Sequence, residues 1–201
     1  MEKETIKQSA RDTQLAELLR NSEIRDGEFI RYYGKAAEII IPDGIVTIGE
    51  KAFAGNHTLQ QITLGKSVSV IQEGAFYGCA QLSKIHLPQG LREIGDDAFR
   101  DCVSLPSISI PDTLITIGNG AFRNCKALKS LSLPSSLTHL GAFALGGCTA
   151  LEELTLPESL EALRRGVFFR CSSLKELKIP TSIHRVSRFA FSGCSSLRAL
   201  S

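Results

Sequence analysis

Six cysteines and four histidines are the residues of this 201-residue chain best suited to chemistry. The cysteines fall at Cys79, Cys102, Cys125, Cys148, Cys171 and Cys194, always 23 residues apart. A structural metal site needs ligand pairs a few residues apart, and no such pair exists. One cysteine per repeat at constant phase predicts instead a stack of equivalent positions, roughly 4.8 Å apart. Parallel side chains at that pitch hold their Cβ atoms wider apart than the ~3.8 Å a disulfide prefers. The expectation is a row of buried free thiols, with Cys194, nearest the end, the most reactive. Unpaired thiols fit a reducing compartment.

The histidines do not converge. His86 falls on an outward strand position and His57 in a turn. His139 and His184 fall in a return segment, two repeats apart and one position out of phase, so they point to opposite sides. Asn56-His57-Thr58 is a glycosylation sequon, but Asn56 occupies the cysteine register and is expected to be buried. Gly118-Asn119-Gly120 echoes a phosphate loop without the rest of the motif and reads as a turn. Neither G-x-S-x-G nor H-E-x-x-H occurs. With no acid, base or nucleophile converging, the expectation is a protein that is not an enzyme and holds no metal or cofactor.

The elements that place these residues follow from the same period. Proline recurs at Pro42, Pro88, Pro111, Pro134, Pro157 and Pro180, with Gly65 in the remaining register. Phenylalanine recurs at Phe53, Phe76, Phe99, Phe122, Phe168 and Phe191, with Leu145 in the skipped place. One unit reads L-x-x-I-x-L-P-x-x-L-x-x-I-G-x-x-A-F-x-x-C-x-x. The L-x-x-I-x-L segment ends in the alternation of a short strand with one buried face. Proline stops it, and the next apolar pair, such as Leu91 and Ile94, turns back across the core. Gly49, Gly95, Gly118 and Gly141 follow and are expected to supply a bend at positive φ. The burial available within one coil does not offset the ordering of its backbone, so stability must come from stacking.

This frame, with I-G-x-x-A-F and a cysteine before the next leucine, resembles the BspA-like leucine-rich repeats of bacterial and protist proteins. The resemblance covers residues 36–201. It implies a mainly-β leucine-rich-repeat solenoid, a right-handed superhelix of short parallel strands in about seven repeats of 23 residues. It also implies a role in adhesion and binding rather than catalysis. Gly65, Asn56, Gln72, Arg164 and Ser187 depart locally from the pattern.

Residues 1–35 read as an N-terminal cap. Ile6, Leu15, Leu18 and Leu19 have helical spacing, Asp12 or Thr13 can cap, and the spacing predicts a short helix near 12–20. Asp26-Gly27 predicts a hairpin over 23–33. The other end stops inside a strand segment at Leu200-Ser201. This is expected either to continue in a longer protein or to pair with another copy. No apolar run is long enough to span a membrane, and the N-terminus lacks the apolar core of a signal peptide. As it stands the chain reads as cytoplasmic; a cell-surface or secreted location requires a leader outside it.

Net charge is +2 but unevenly spread, −4 over residues 1–158 and +6 over 159–201. The basic end carries Arg164, Arg165, Arg170, Lys175, Lys178, Arg185, Arg188 and Arg198. It lacks an interleaved aromatic platform apart from Phe168 and Phe169, which ranks nucleic acid last among partners. The variable positions of the strand segment line one face. The candidate binding residues on it are Gln61, Lys84, His86, Lys129, Glu152, Glu153, Lys175, Glu176 and Lys178. The expected partner is a protein or other macromolecule. The alternative expectation is a structural element that stacks on itself through its C-terminal end.

Overall fold

The computed structural model describes residues 12–200; Ile6, assigned above to the cap helix, lies outside them. Residues 12–20 form helix α1. Leu18 is its buried contact with the core. The helix ends where Asn21 and Ser22 turn their side chains back, Nδ2 donating to Glu17 O at 2.9 Å and Oγ to Leu18 O at 2.6 Å. Strands β1 (Ser22–Arg25) and β2 (Glu28–Tyr32) form the expected antiparallel hairpin. Asp26 and Gly27 take φ of 50° and 77° at its turn, the pairing that two-residue turns of this hand require.

The rest is a parallel solenoid with two ladders per coil. The first contains β3 (Glu38–Ile40), β5 (Gln61–Thr63), β7 (Lys84–His86), β10 (Ser130–Ser132), β12 (Glu153–Thr155), β14 (Glu176–Leu177) and β16 (Ala199–Leu200). The second contains β4 (Thr47–Ile48), β6 (Val70–Ile71), β8 (Glu93–Ile94), β9 (Thr116–Ile117), β11 (His139–Leu140), β13 (Ala162–Leu163) and β15 (Arg185–Val186). This second ladder arises from the return segment, which the repeat pattern reads only as a turn back. It makes the longest sheet, in the order β1-β2-β4-β6-β8-β9-β11. The hairpin joins it because β2 pairs in parallel with β4, Phe29 opposite Ile48.

The first ladder is broken at residues 107–109, which form no strand, and again between β12 and β14, and the second is broken between β11 and β13. At residues 107–109 the cause is local. Ser83 N donates to Gln60 O at 2.9 Å and Glu152 N to Lys129 O at 2.9 Å. Pro106 occupies the same register and has no N–H to give.

The core is one column. Phe29, Phe53, Phe76, Phe99 and Phe122 stack ring on ring at 5.0–5.3 Å between centroids. Leu145 interrupts the column, and Phe168 and Phe191 resume it at 5.6 Å. Offset rings at such distances add to their burial.

The frame glycines do not bend the chain. Gly49, Gly95, Gly118 and Gly141 are absent from the positive-φ positions. They serve close approach instead: a Cβ on Gly95 would lie 2.8 Å from the Gln72 carbonyl carbon, and one on Gly118 would lie 2.5 Å from Asp96 N. The left-handed bends come two and six residues later. Lys51, Gly74, Asp97, Gly120, Phe143, Gly166 and Phe189 form one row of positive φ, and Gly55, Gly78, Asp101, Asn124, Gly147, Arg170 and Gly193 form the other. Only some of these are glycine, so residue type alone does not reveal the rows.

Candidate binding face

The thiols are part of the frame. Each donates from Sγ to a carbonyl 26 residues earlier: Cys79 to Phe53 at 3.1 Å, Cys125 to Phe99 at 3.2 Å, Cys194 to Phe168 at 3.0 Å. Cys102, Cys148 and Cys171 repeat the bond. All six are free, and only Cys194 is less than fully buried. Burial pushes the Cys79 and Cys148 thiols up to about 12. A neutral thiol is a poor nucleophile and a poor metal ligand.

Asn56 takes the same register without being buried; it is half-exposed. Its coil lies beside the hairpin rather than between two full coils. Oδ1 accepts from Thr58 N at 3.0 Å and Leu59 N at 2.9 Å, while Nδ2 donates to Gly34 O at 3.3 Å. The side chain thus closes its turn as a cap does, and a glycan on Nδ2 would have to share that nitrogen with its bond to Gly34 O.

His139 sits on β11, with Nδ1 3.4 Å from an Arg164 guanidinium nitrogen. Burial, then the Arg164 charge, lowers its pKa below the ordinary histidine value. His184 is exposed, its Nδ1 3.0 Å from Ser182 O. Among the described residues, no three of His, Cys, Asp and Glu are placed to hold a metal ion.

The candidate face stands on the first ladder. Backbone pairing places Gln61 beside Lys84 and Thr63 beside His86. Farther along, Ser130 lies beside Glu153 and Glu176 beside Ala199. Eight of the nine candidates are exposed and Gln61 is half-buried. They do not make one cluster. The unpaired 107–109 segment separates Gln61, Lys84 and His86 from Lys129, Glu152, Glu153, Lys175, Glu176 and Lys178. Within the second group, Lys175 Nζ reaches Glu152 Oε2 at 2.6 Å. That hydrogen bond and charge, with Lys129 nearby, hold the Glu152 carboxyl below the usual carboxylate range. Part of the face therefore pairs with itself along a row, which the alternation Lys129, Glu152, Lys175 already carried at the repeat spacing.

The basic end holds a feature that the spacing does not announce. Arg165 lies over the rings of Phe143 at 5.8 Å and Phe189 at 5.6 Å, and Arg123 covers Phe143 at 5.4 Å. Arg170 covers Phe169 at 5.2 Å. Stacking holds these guanidinium groups in place while their edges face water.

Short parallel ladders, a phenylalanine column and a row of thiol latches, repeating every 23 residues, define a leucine-rich-repeat solenoid. The chain belongs to the BspA type leucine rich repeat family, whose model matches residues 22–111 and 92–201 in 6 copies. It is similar to the solved leucine-rich-repeat protein of T. pallidum, at 36% identity and TM-score 0.80, over 85% of this chain and 82% of that one. A leucine-rich-repeat protein from Bacteroides ovatus matches at 28% identity and TM-score 0.76, over 87% of this chain. One from Eubacterium ventriosum matches at 25% and 0.77, also over 87%. This chain spans 48% and 47% of those two. No significant match exists among curated proteins. The family and these neighbours are repeat proteins rather than enzymes. Among the described residues no helix is long and apolar enough to cross a membrane.

Proposed function

We propose that the chain is a protein-interaction module that holds a macromolecular partner on its first-ladder face. The observation that carries this reading is the contrast along each strand. Ile62, Ile85, Leu131, Leu154 and Leu177 point into the core, while Gln61, Lys84, Glu153 and Glu176 point out in rows that vary in size and charge. A fixed scaffold with free choice of side chain on one side is what a recognition surface requires. Taken together the two patches carry both signs of charge, Lys84 in the first and Glu152, Glu153, Glu176, Lys129, Lys175 and Lys178 in the second, which suits a protein surface better than a polyanion.

One neighbour, at 28% identity and TM-score 0.53, is described as a leucine rich cell surface protein from Faecalibacterium prausnitzii. The same placement is proposed for this chain, with an adhesive role. The test immobilises the chain and compares capture of partners by the native protein, by Glu153→Lys with Glu176→Lys, and by Lys84→Glu with His86→Glu. Capture is expected to fall with at least one pair. Capture unchanged by both pairs would move the site off this face.

A further inference from the structure

A second row of side chains, where the second ladder ends, changes the sign of its charge along its length. Its members are Glu50, Glu73, Asp96, Asn119, Ala142, Arg165 and Arg188, one per coil and 23 residues apart. Their stacking is secured by the backbone. Lys51 N donates to Glu73 O at 3.0 Å, Gly74 N to Asp96 O at 2.8 Å and Asp97 N to Asn119 O at 2.8 Å. Gly120 N, Phe143 N and Gly166 N continue the series to Ala142 O, Arg165 O and Arg188 O at 2.8, 2.9 and 3.1 Å. Every member is exposed except the half-buried Ala142.

The row therefore runs from three carboxylates through two neutral residues to two guanidinium groups. Each half borders a shallow depression. Glu50, Glu73, Glu93 and Asp96 line one of about 400 Å³, and Arg165, Arg185, Arg188 and Phe189 line another of about 440 Å³. Arg165 is held by its two phenylalanine rings and has no carboxylate partner among the described residues. Glu50 shares its charge with Lys51 at 2.6 Å, so Glu73 is the stronger acidic contact.

The two outer pairs of the row are antisymmetric about Asn119, while the inner pair, Asp96 and Ala142, sets a carboxylate against a neutral residue. Glu50 and Arg188 lie three coils to either side of it, and Glu73 and Arg165 lie two coils to either side. We infer that this row is the contact surface for a second copy of the chain, laid side by side in the opposite direction about a two-fold axis through Asn119. Such an axis places Glu73 of each copy against Arg165 of the other, and Glu50 against Arg188. The spacings match without adjustment because they are the same spacings, roughly 4.8 Å per coil. A purely anionic or cationic partner satisfies one half of the row and is repelled by the other. The chain reversed satisfies both, as an isologous contact requires. This contact lies apart from the first-ladder face, so the two readings stand or fall separately.

Sedimentation velocity of the 201-residue chain at about 50 mM and about 500 mM salt tests it, since exposed ion pairs weaken as screening increases. A dimer at low salt that dissociates at high salt is expected. Glu50→Lys with Glu73→Lys makes the row positive throughout most of its length, and Arg165→Glu with Arg188→Glu makes it negative. Each double variant should raise the dimer dissociation constant at least about tenfold, and an equimolar mixture of the two should recover a heterodimer. That recovery also shows that both variants are folded. Leu200→Glu, in β16 and away from the row, should leave the dimer intact. A monomer under all conditions, a dimer indifferent to salt or to both reversals, failure of the mixture to recover, or loss of the dimer in Leu200→Glu would overturn the inference.

Discussion

At the scale of single residues, the cysteines show how a reactive group becomes a structural one. Five are fully buried, their thiols are held neutral by burial, and each spends its hydrogen on a carbonyl of the preceding coil. Cys194 has the same bond but is less buried, and its pKa is raised too. Iodoacetamide at mildly alkaline pH should therefore label Cys194 in the folded protein and all six cysteines only after denaturation, as read by peptide mass spectrometry. Labelling of Cys125 in the native protein would contradict the buried ladder. The frame glycines make a second residue-scale case. A Cβ on Gly141 meets the backbone of Gly118 and Asn119, so Gly141→Ala should lower stability by about 1–3 kcal/mol, an overpacking cost. Ser187→Ala in the same register should change it by less than about 0.5 kcal/mol. Chemical denaturation measures both. A glycine in a sequence signals either a bend or a close approach, and the letter alone does not say which. That is why the positive φ expected at these glycines falls instead at residues as unlike as Lys51, Asp97 and Phe143.

At the scale of elements, what the repeat exposes is whatever is encoded in side chains. The first-ladder strands, the phenylalanine register and the Asp26-Gly27 hairpin were all legible because apolar alternation or turn chemistry marks them. The second ladder was not, since its strands are two residues long and too short for alternation to register. Phe29 was equally hidden; it enters the ring column at 5.0 Å from Phe53 from outside the repeat frame. The candidate face was legible as rows, but not its division into two patches, which falls where Pro106 offers no donor. Pro106→Lys should repair it. The new amide faces Ser83 O, the ladder closes across residues 107–109, and stability rises by about 0.5–1.5 kcal/mol for the recovered hydrogen bond. Hydrogen exchange should show new protection at that position. Unchanged exchange would mean that something other than proline breaks the strand.

At the scale of the whole molecule, the bonds between coils all span nearly the same stretch of chain. The thiol latch reaches 26 residues back, the Ser136 hydroxyl 22, and the Glu152–Lys175 pair 23. No bond of these ladders ties the first coil directly to the last, so cohesion passes from neighbour to neighbour. The molecule is consequently quantised in length. Remove one whole period from the middle and every amide still finds a carbonyl of the same kind, every ring another ring, every thiol its acceptor. Remove one residue more or fewer and each of those partnerships is lost at once on one side of the cut. Copy number is thus a property that this chain can vary without renegotiating its sequence, and the Glu50–Arg188 row is where such a change would be noticed. A coil gained or lost near Asn119 moves both charged ends equally and keeps their mirror relation. One gained at either extremity shifts the centre and leaves a charge without its counterpart.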